Sequence, residues 1–219
     1  MQKFLLSFLL LLSSTCVAQV SEDLMQRARQ GDAEIQGAVG ATYYMDKDYE
    51  QARQWFEKAA NQGNLPAQFF LGKIYSQGDG VPQDYAQAKM WYEKSASQGY
   101  APAQIHLGSL YGSEESGMLD YEQSRIWYEK AALQGIAPAQ SVLGVIYYQG
   151  RGVPQNFEKA RLWFEKAALQ GDAIAQAYVG AIYYLGQGVT QDKKQARMWV
   201  ERSCEQDEKL GCFLLEKMN

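Results

Sequence analysis

The chain has 219 residues, 21 of them basic and 25 acidic, which gives a formal net charge of −4 at pH 7. A mildly acidic chain without runs of lysine or arginine offers little to a phosphate backbone, so nucleic-acid binding is disfavoured. The single histidine argues against a catalytic metal site built from several imidazoles. We therefore expect neither a nucleic-acid partner nor a cofactor.

The N-terminus, residues 1–18, has the layout of a secretory signal peptide. Lys3 supplies a positive charge, Phe4–Leu12 forms an apolar core, and small residues lead to Ala18. The core is about half of the ~20 residues that a spanning helix needs, so we expect no membrane span. Cleavage after Ala18 predicts a periplasmic or secreted protein. The alternative is a lipoprotein signal that places the lipid on Cys16, although the three residues before it fit that pattern poorly.

The next segment, residues 19–31, predicts an N-terminal capping helix. Its Ala28, Gln30 and Gly31 are in register with the ends of helices that recur later in the chain. Repeat arrays need such half-units, because the first repeat would otherwise expose an apolar face to water.

Nearly the same 36 residues then recur along the chain, which is the signature of a repeat array. The units are residues 32–63, 64–99, 100–135, 136–171 and 172–207. All five tryptophans confirm this register, since each lies 36 positions from the next: Trp55, Trp91, Trp127, Trp163 and Trp199. We expect a single elongated all-α solenoid that is a monomer.

Each unit predicts two amphipathic helices. In 136–171, apolar residues at helical spacing begin at Ala139 in the first half and at Phe157 in the second. Gly144 in the first helix is expected to let a neighbouring backbone approach closely.

The segment Gly150–Asn156 predicts the turn between the two helices. Its glycines permit positive φ after a helix end, and Asn156 is placed to cap the second helix. The equivalent caps in the other units are Asp48, Asp84, Asp120 and Asp192.

The shared pattern A-Q-x-x-L-G-x-x-Y-x-x-G-x-G-V-x-Q-[DN]-x-x-x-A-x-x-W-[FY]-E-K-A-A-x-Q-G resembles the Sel1-like repeat, a relative of the tetratricopeptide repeat. The resemblance implies a right-handed α-solenoid of helix-turn-helix units. Two units depart from the pattern. The first lacks the G-x-G-V turn, and the third replaces it with Ser113–Leu119, which keeps the length but moves the glycine.

The resemblance also implies a function, that of a non-enzymatic scaffold that binds a protein or peptide on its concave face. Cysteine-rich Sel1-like proteins of bacterial envelopes suggest an alternative, the binding of β-lactams or peptidoglycan fragments. A third possibility is an immunity or inhibitor partner of a secreted effector. A fold by itself does not choose among these.

The C-terminus, residues 208–219, aligns with the first helix of a unit and predicts a second cap. Cys204 and Cys212 lie eight positions apart across a helix-to-helix turn, and in an oxidising compartment they should form a disulfide. A redox or metal role is the alternative, but two cysteines and one histidine do not complete a tetrahedral zinc site. The same Cys-x7-Cys spacing resembles the staple of the cysteine-rich Sel1-like proteins.

Candidate catalytic residues are scarce. His106 has no obvious catalytic partner near it in sequence, so we expect a partly buried helix residue. No serine is followed by lysine at the S-x-x-K spacing of serine β-lactamases. The recurring Glu-Lys pairs are adjacent on a helix and do not face each other, which indicates a solvated edge. We expect no enzymatic activity.

A candidate binding groove follows from the face of the first helices opposite their core positions. Tyrosine offers a large rigid contact area with a polar tip, so aromatic residues there suggest a ligand surface. The alternative is that curvature buries these residues against adjacent repeats. The groove residues are Tyr44, Phe69, Lys73, Ile105, Tyr148 and Tyr184.

Overall fold

A computed structural model describes residues 22–218 of the chain. The described part contains twelve α-helices and no strand. It divides into two compact units: unit 1 runs to Ala103 and unit 2 begins at Gln104. The helices are α1 (Glu22–Arg29), α2 (Ala33–Met45), α3 (Tyr49–Asn61), α4 (Leu65–Gln77), α5 (Tyr85–Ala96), α6 (Ala101–Gly112), α7 (Tyr121–Leu133), α8 (Ala137–Gln149), α9 (Phe157–Leu169), α10 (Ala173–Leu185), α11 (Lys193–Cys204) and α12 (Lys209–Met218).

The helices form successive hairpins, which confirms the predicted fold class. We call α2, α4, α6, α8, α10 and α12 the first-type helices and the others the second-type helices. In unit 1, α2 packs against α3 and α4 against α5, and α3 also contacts α4. In unit 2, each helix from α7 to α12 packs against the next one. The predicted signal peptide lies outside the described residues.

One backbone hydrogen bond closes every hairpin in the same way. The N–H of the residue that caps the second-type helix donates to the carbonyl of a tyrosine near the end of the first-type helix, as from Asn156 to Tyr147 at 2.9 Å. The side chain of the same capping residue accepts an N–H from the first turn of its helix, which confirms the predicted caps Asp48, Asp84, Asp120, Asn156 and Asp192.

The two atypical turns reach this closure with different residues. In the regular turn, Gly150 and Gly152 take the left-handed conformation, with φ of +71° and +66°. Lys47 takes that conformation in the shorter first turn, with φ of +62°. The third turn instead forms a short 3-10 helix, Glu114–Ser116, and then uses Gly117. Backbone closure is therefore retained where the glycine motif is lost.

Gly144 makes room for a ring, so the expectation of a close backbone was wrong. A Cβ atom at Gly144 would lie 2.6–2.8 Å from three atoms of the Phe164 ring, which belongs to the second-type helix of the same hairpin. A non-bonded carbon pair prefers a separation of about 3.5–4.0 Å. Three other hairpins have the same arrangement: Gly40 with Phe56, Gly72 with Tyr92, and Gly108 with Tyr128.

Buried glutamines connect consecutive hairpins. The Gln140 side chain donates to the carbonyl of Ala132 at the end of the preceding helix, at 3.1 Å, and accepts from Gln170 at 2.8 Å. Gln36 and Gln176 bridge their neighbours similarly. Each buried amide thus donates a hydrogen bond to a carbonyl at a helix end that water does not reach. This contact explains why glutamine recurs at this position of the repeat.

The Glu-Lys pairs on the second-type helices have structural contacts, and they do not pair with each other. Glu165 accepts from Arg161 of the preceding turn at 2.7 Å. The following cation lies over the tryptophan of its own helix, within 3.6–5.1 Å of a ring centroid: Lys58 on Trp55, Lys94 on Trp91, Lys130 on Trp127, Lys166 on Trp163 and Arg202 on Trp199. The pattern is that of a packed outer edge and not of an acid-base pair.

The last helix is joined to the array by a covalent bond. Cys204, at the end of α11, forms a disulfide with Cys212 in the first turn of α12. Gly211 is the buried residue of α12, and Met218 packs against the core of unit 2. The sequence prediction of this pairing therefore agrees with the structure.

Candidate binding surface on the first-type helices

The six predicted groove residues are divided between the two units. Tyr44, Phe69 and Lys73 belong to unit 1, and Ile105, Tyr148 and Tyr184 belong to unit 2. All six are half-buried. They therefore pack into the array with part of their surface and present the rest to solvent.

In unit 1, Tyr44 is held by the next repeat. Its hydroxyl donates to the Asp79 carboxylate at 2.7 Å, and its ring lies 5.5 Å from that of Phe70. Burial, together with the nearby Asp79, raises the pKa of Tyr44. The Lys73 ammonium lies 5.1 Å from the Tyr44 ring centroid, so these two predicted residues do meet.

Phe69 belongs to a neighbouring aromatic cluster of unit 1. Its ring centroid lies 5.3 Å from Phe70, 5.9 Å from Tyr92 and 5.8 Å from Tyr100. Phe70 touches both Tyr44 and Phe69, so the aromatic residues form one continuous patch.

In unit 2, Tyr148 repeats the arrangement of Tyr44. Its hydroxyl donates to the Gln187 side-chain oxygen of the next turn at 3.0 Å. Its ring packs edge-on against Phe157 at 5.2 Å and Tyr178 at 5.3 Å. Burial raises the pKa of Tyr148. Ile105 packs against the same core cluster.

Tyr184 is the exception among the three groove tyrosines. Within residues 22–218 its hydroxyl has no hydrogen-bond partner, whereas Tyr44 and Tyr148 each reach the following turn. The aromatic residue that begins the second-type helix elsewhere is replaced by Lys193, whose ammonium lies 6.0 Å from the Tyr184 ring centroid. The surroundings of Tyr184 are therefore more polar than those of Tyr148, because a lysine replaces an aromatic ring there.

Sequence reasoning missed two residues of this surface, Phe213 and Lys217. They occupy the positions on α12 that Phe69 and Lys73 occupy on α4. Phe213 exposes 53% of its surface, and the Lys217 ammonium lies 5.5 Å from its ring centroid. The positional rule that finds the other groove residues also finds these two when it is extended to the capping helix.

Charge is unevenly distributed over unit 2. The first-type helices α8 and α10 contain no charged residue, and α12 contains Lys209, Glu216 and Lys217. Glu216 takes the position of Gly144 and Gly180, which in complete hairpins faces the second-type helix. The groove positions of unit 2 therefore carry no carboxylate, and the charged residue among them is Lys217.

The described residues hold no group of three or more His, Cys, Asp and Glu side chains placed to bind a metal ion. His106 is half-buried on α6, as predicted. No helix between residues 22 and 218 is both long enough and apolar enough to cross a membrane. A shallow cavity of about 580 Å³ lies along α11, and none of the six groove residues lines it.

The chain folds into tandem helical hairpins. Each hairpin is closed by the same backbone hydrogen bond, and in four of them a ring packs against a glycine of the first-type helix. These features define a helical-repeat protein. The profile of the Sel1 repeat matches five successive segments, residues 39–64, 65–100, 101–136, 137–172 and 173–208. The chain belongs to the Sel1-repeat family. Proteins of this family are generally scaffolds for protein–protein interaction and are generally not enzymes.

Solved structures agree with this assignment. A Sel1 repeat protein from Oxalobacter formigenes is 32% identical over 90% of this chain, with a TM-score of 0.77. A protective antigen of uropathogenic Escherichia coli strains with an SLR fold is 36% identical over 89% of the chain, with a TM-score of 0.65. The chain spans 58% and 50% of those two proteins.

A third similar structure is close to this chain in length. It is described as a putative Sel1 repeat protein from Klebsiella pneumoniae, is 25% identical and has a TM-score of 0.57, and the match covers 90% of this chain and 98% of that one. No curated protein sequence matches the chain.

Proposed function

We propose that the chain is an exported, non-enzymatic scaffold that binds a protein or peptide through the exposed face of its first-type helices. The observation that carries this proposal is the aromatic surface at repeated positions of these helices, which includes Phe213 at 53% exposure. Large aromatic side chains on an exposed face are typical of binding surfaces. Membership of a family of interaction scaffolds supports the same conclusion.

The proposed compartment is the periplasm or the extracellular space. The disulfide between Cys204 and Cys212 supports it, because disulfides persist in oxidising compartments. The mass of the mature N-terminus tests export: a chain that begins at Gln19 is expected, a lipid on Cys16 would indicate anchoring instead, and an uncleaved Met1 would contradict export.

Affinity capture tests the binding role. Tagged mature protein is incubated with envelope extract, alongside the Phe213→Ala variant and the matched Leu169→Ala variant, whose side chain is 75% exposed on second-type helix α9. We expect a bound partner that Phe213→Ala loses and Leu169→Ala retains. Loss with Leu169→Ala alone would place the binding surface on the second-type helices and contradict the proposal.

A further inference from the structure

We infer that the first-type face at the C-terminal end of unit 2 selects an acidic peptide segment in which carboxylates stand beside apolar side chains. This inference rests on the proposed function and names the chemistry of the partner. The residues that carry it are Tyr184, Lys193, Phe213 and Lys217, which lie on the last two first-type helices and at the start of α11.

At this end of the face, a cation stands at a position where the equivalent helices begin with an aromatic residue. At three of these positions, the aromatic residue lies against a glycine of the next turn: Tyr49 against Gly80, Tyr121 against Gly152 and Phe157 against Gly188. Position 193 is an exposed lysine, whereas the equivalent aromatic residues are half-buried.

Polar groups near this end of the face lack protein partners in the described part of the chain. Neither the Lys193 nor the Lys217 ammonium has a carboxylate within ion-pair distance in the described part of the chain. The Tyr184 hydroxyl also lacks a protein partner there. Two ammonium groups and a hydroxyl supply donors for a carboxylate, and hydrogen bonds to a charged group are the stronger kind.

Apolar side chains are also exposed at this end of unit 2. Phe213 is 53% exposed, and Leu185 at the end of α10 is 57% exposed. Val145 and Ala181, at the groove positions between the tyrosines, are small and half-buried. The surface thus offers apolar contact beside the donors, which fits a segment with alternating acidic and apolar residues.

Charge complementarity decides between this partner and others. The whole chain is acidic, with 25 acidic against 21 basic residues, yet the groove positions of unit 2 carry no carboxylate. A basic segment would meet two lysines here, and the carboxylates next to them in sequence are Asp192, which caps α11, and Glu216, which lies outside the groove positions. A large anionic partner would be repelled by the net negative charge of the rest of the protein. A short acidic segment would contact only this end, where Lys193 and Lys217 lie.

A random dodecapeptide library displayed on phage tests the inference on the mature protein. We expect enrichment of peptides that place Asp or Glu next to Leu, Ile or Phe. Enrichment of basic or neutral peptides whose binding Phe213→Ala still abolishes would overturn the inference and leave the proposed function standing. Failure to enrich any peptide would count against both.

The charge contribution is then measured with synthetic copies of the enriched peptides in low salt. The double variant Lys193→Gln with Lys217→Gln should weaken binding by about tenfold for each charge-assisted hydrogen bond that it removes. Lys166→Gln, which removes an ammonium 4.1 Å from the Trp163 ring on α9, should bind normally. Equal affinity of the double variant and the unmodified protein, both with unchanged melting temperature, would refute the role of the two lysines.

Discussion

Tyr148 and Tyr184 occupy equivalent positions on α8 and α10 but differ in their hydrogen bonds. The Tyr148 hydroxyl donates to Gln187 at 3.0 Å, whereas that of Tyr184 has no partner within residues 22–218. We expect Tyr148→Phe to lower the free energy of unfolding by about 1 kcal/mol, measured by urea denaturation. Tyr184→Phe is the matched control and should change it little. Equal losses in both variants would contradict this difference.

At Gly144, a neighbouring ring determines how a substitution changes stability. An added Cβ would lie 2.6–2.8 Å from the Phe164 ring, which is fully buried. Gly144→Ala should therefore destabilise unit 2 by roughly 1–3 kcal/mol, in spite of the better helix propensity of alanine. Gln149→Ala, at an exposed position of the same helix, should stay within about 0.5 kcal/mol. A thermal melt of both variants checks this, and a stabilised Gly144→Ala would refute the ring contact.

Tyr92 predicts a pH dependence at the alkaline end. Burial raises the pKa of its hydroxyl to about 12, against about 10 in an unfolded chain. Because the folded pKa is the higher one, its contribution to stability is complete below about pH 10 and is lost as the pH rises towards 12. The urea midpoint should fall over this window, and less steeply in Tyr92→Phe. The same slope in both proteins would show that Tyr92 is not responsible.

Residue types at fixed positions could be predicted from the sequence, but their contacts could not. Periodicity places Tyr148 on the exposed side of α8, and the structure adds its bond to Gln187 in the next turn. Sequence spacing cannot show which loop atom a hydroxyl reaches, since that depends on how neighbouring repeats stack. For the same reason, the pattern indicates a need for glycine at position 144 but does not identify the Phe164 ring as its neighbour.

At the scale of elements, the disulfide attaches α12 to the end of α11. A loop this short should contribute roughly 2–3 kcal/mol, mainly by restricting the unfolded chain. We expect the double variant Cys204→Ser with Cys212→Ser to lower the denaturation midpoint and to increase amide exchange in α12 before α10. Mass spectrometry without reductant gives the direct control, because two free thiols in the native protein would contradict the bond.

Helix limits and caps were predictable because they depend on local chemistry. Asp120 caps α7 although the preceding turn has lost its glycine motif, since an N-cap needs only an acceptor next to the first free N–H groups. The internal path of that turn was not predictable. Its 3-10 helix, Glu114–Ser116, is held by the Ser116 hydroxyl, which donates to the carbonyl of Leu110 at 2.7 Å, and no periodic pattern indicates such a contact.

At the scale of the whole molecule, the fold class followed from repetition, and the family followed from the residue pattern that repeats. Five copies of one pattern define helical hairpins more strongly than any single segment. The candidate surface was predicted only in part, because Phe213 and Lys217 lie on a helix that the sequence presents as a cap. A capping helix in a repeat array covers the hydrophobic core of the adjacent repeat. It can also extend the exposed face formed by the first-type helices.

Site-specific photo-crosslinking tests the central claim, that the first-type face binds a partner, most directly. A photoreactive phenylalanine analogue is placed either at Phe213 on α12 or at Leu169 on α9, and the protein is irradiated in the cells that make it. Both positions are more than half exposed, at 53% and 75%. We expect a discrete crosslinked partner from position 213 and none from position 169. A partner from position 169 alone would contradict the account.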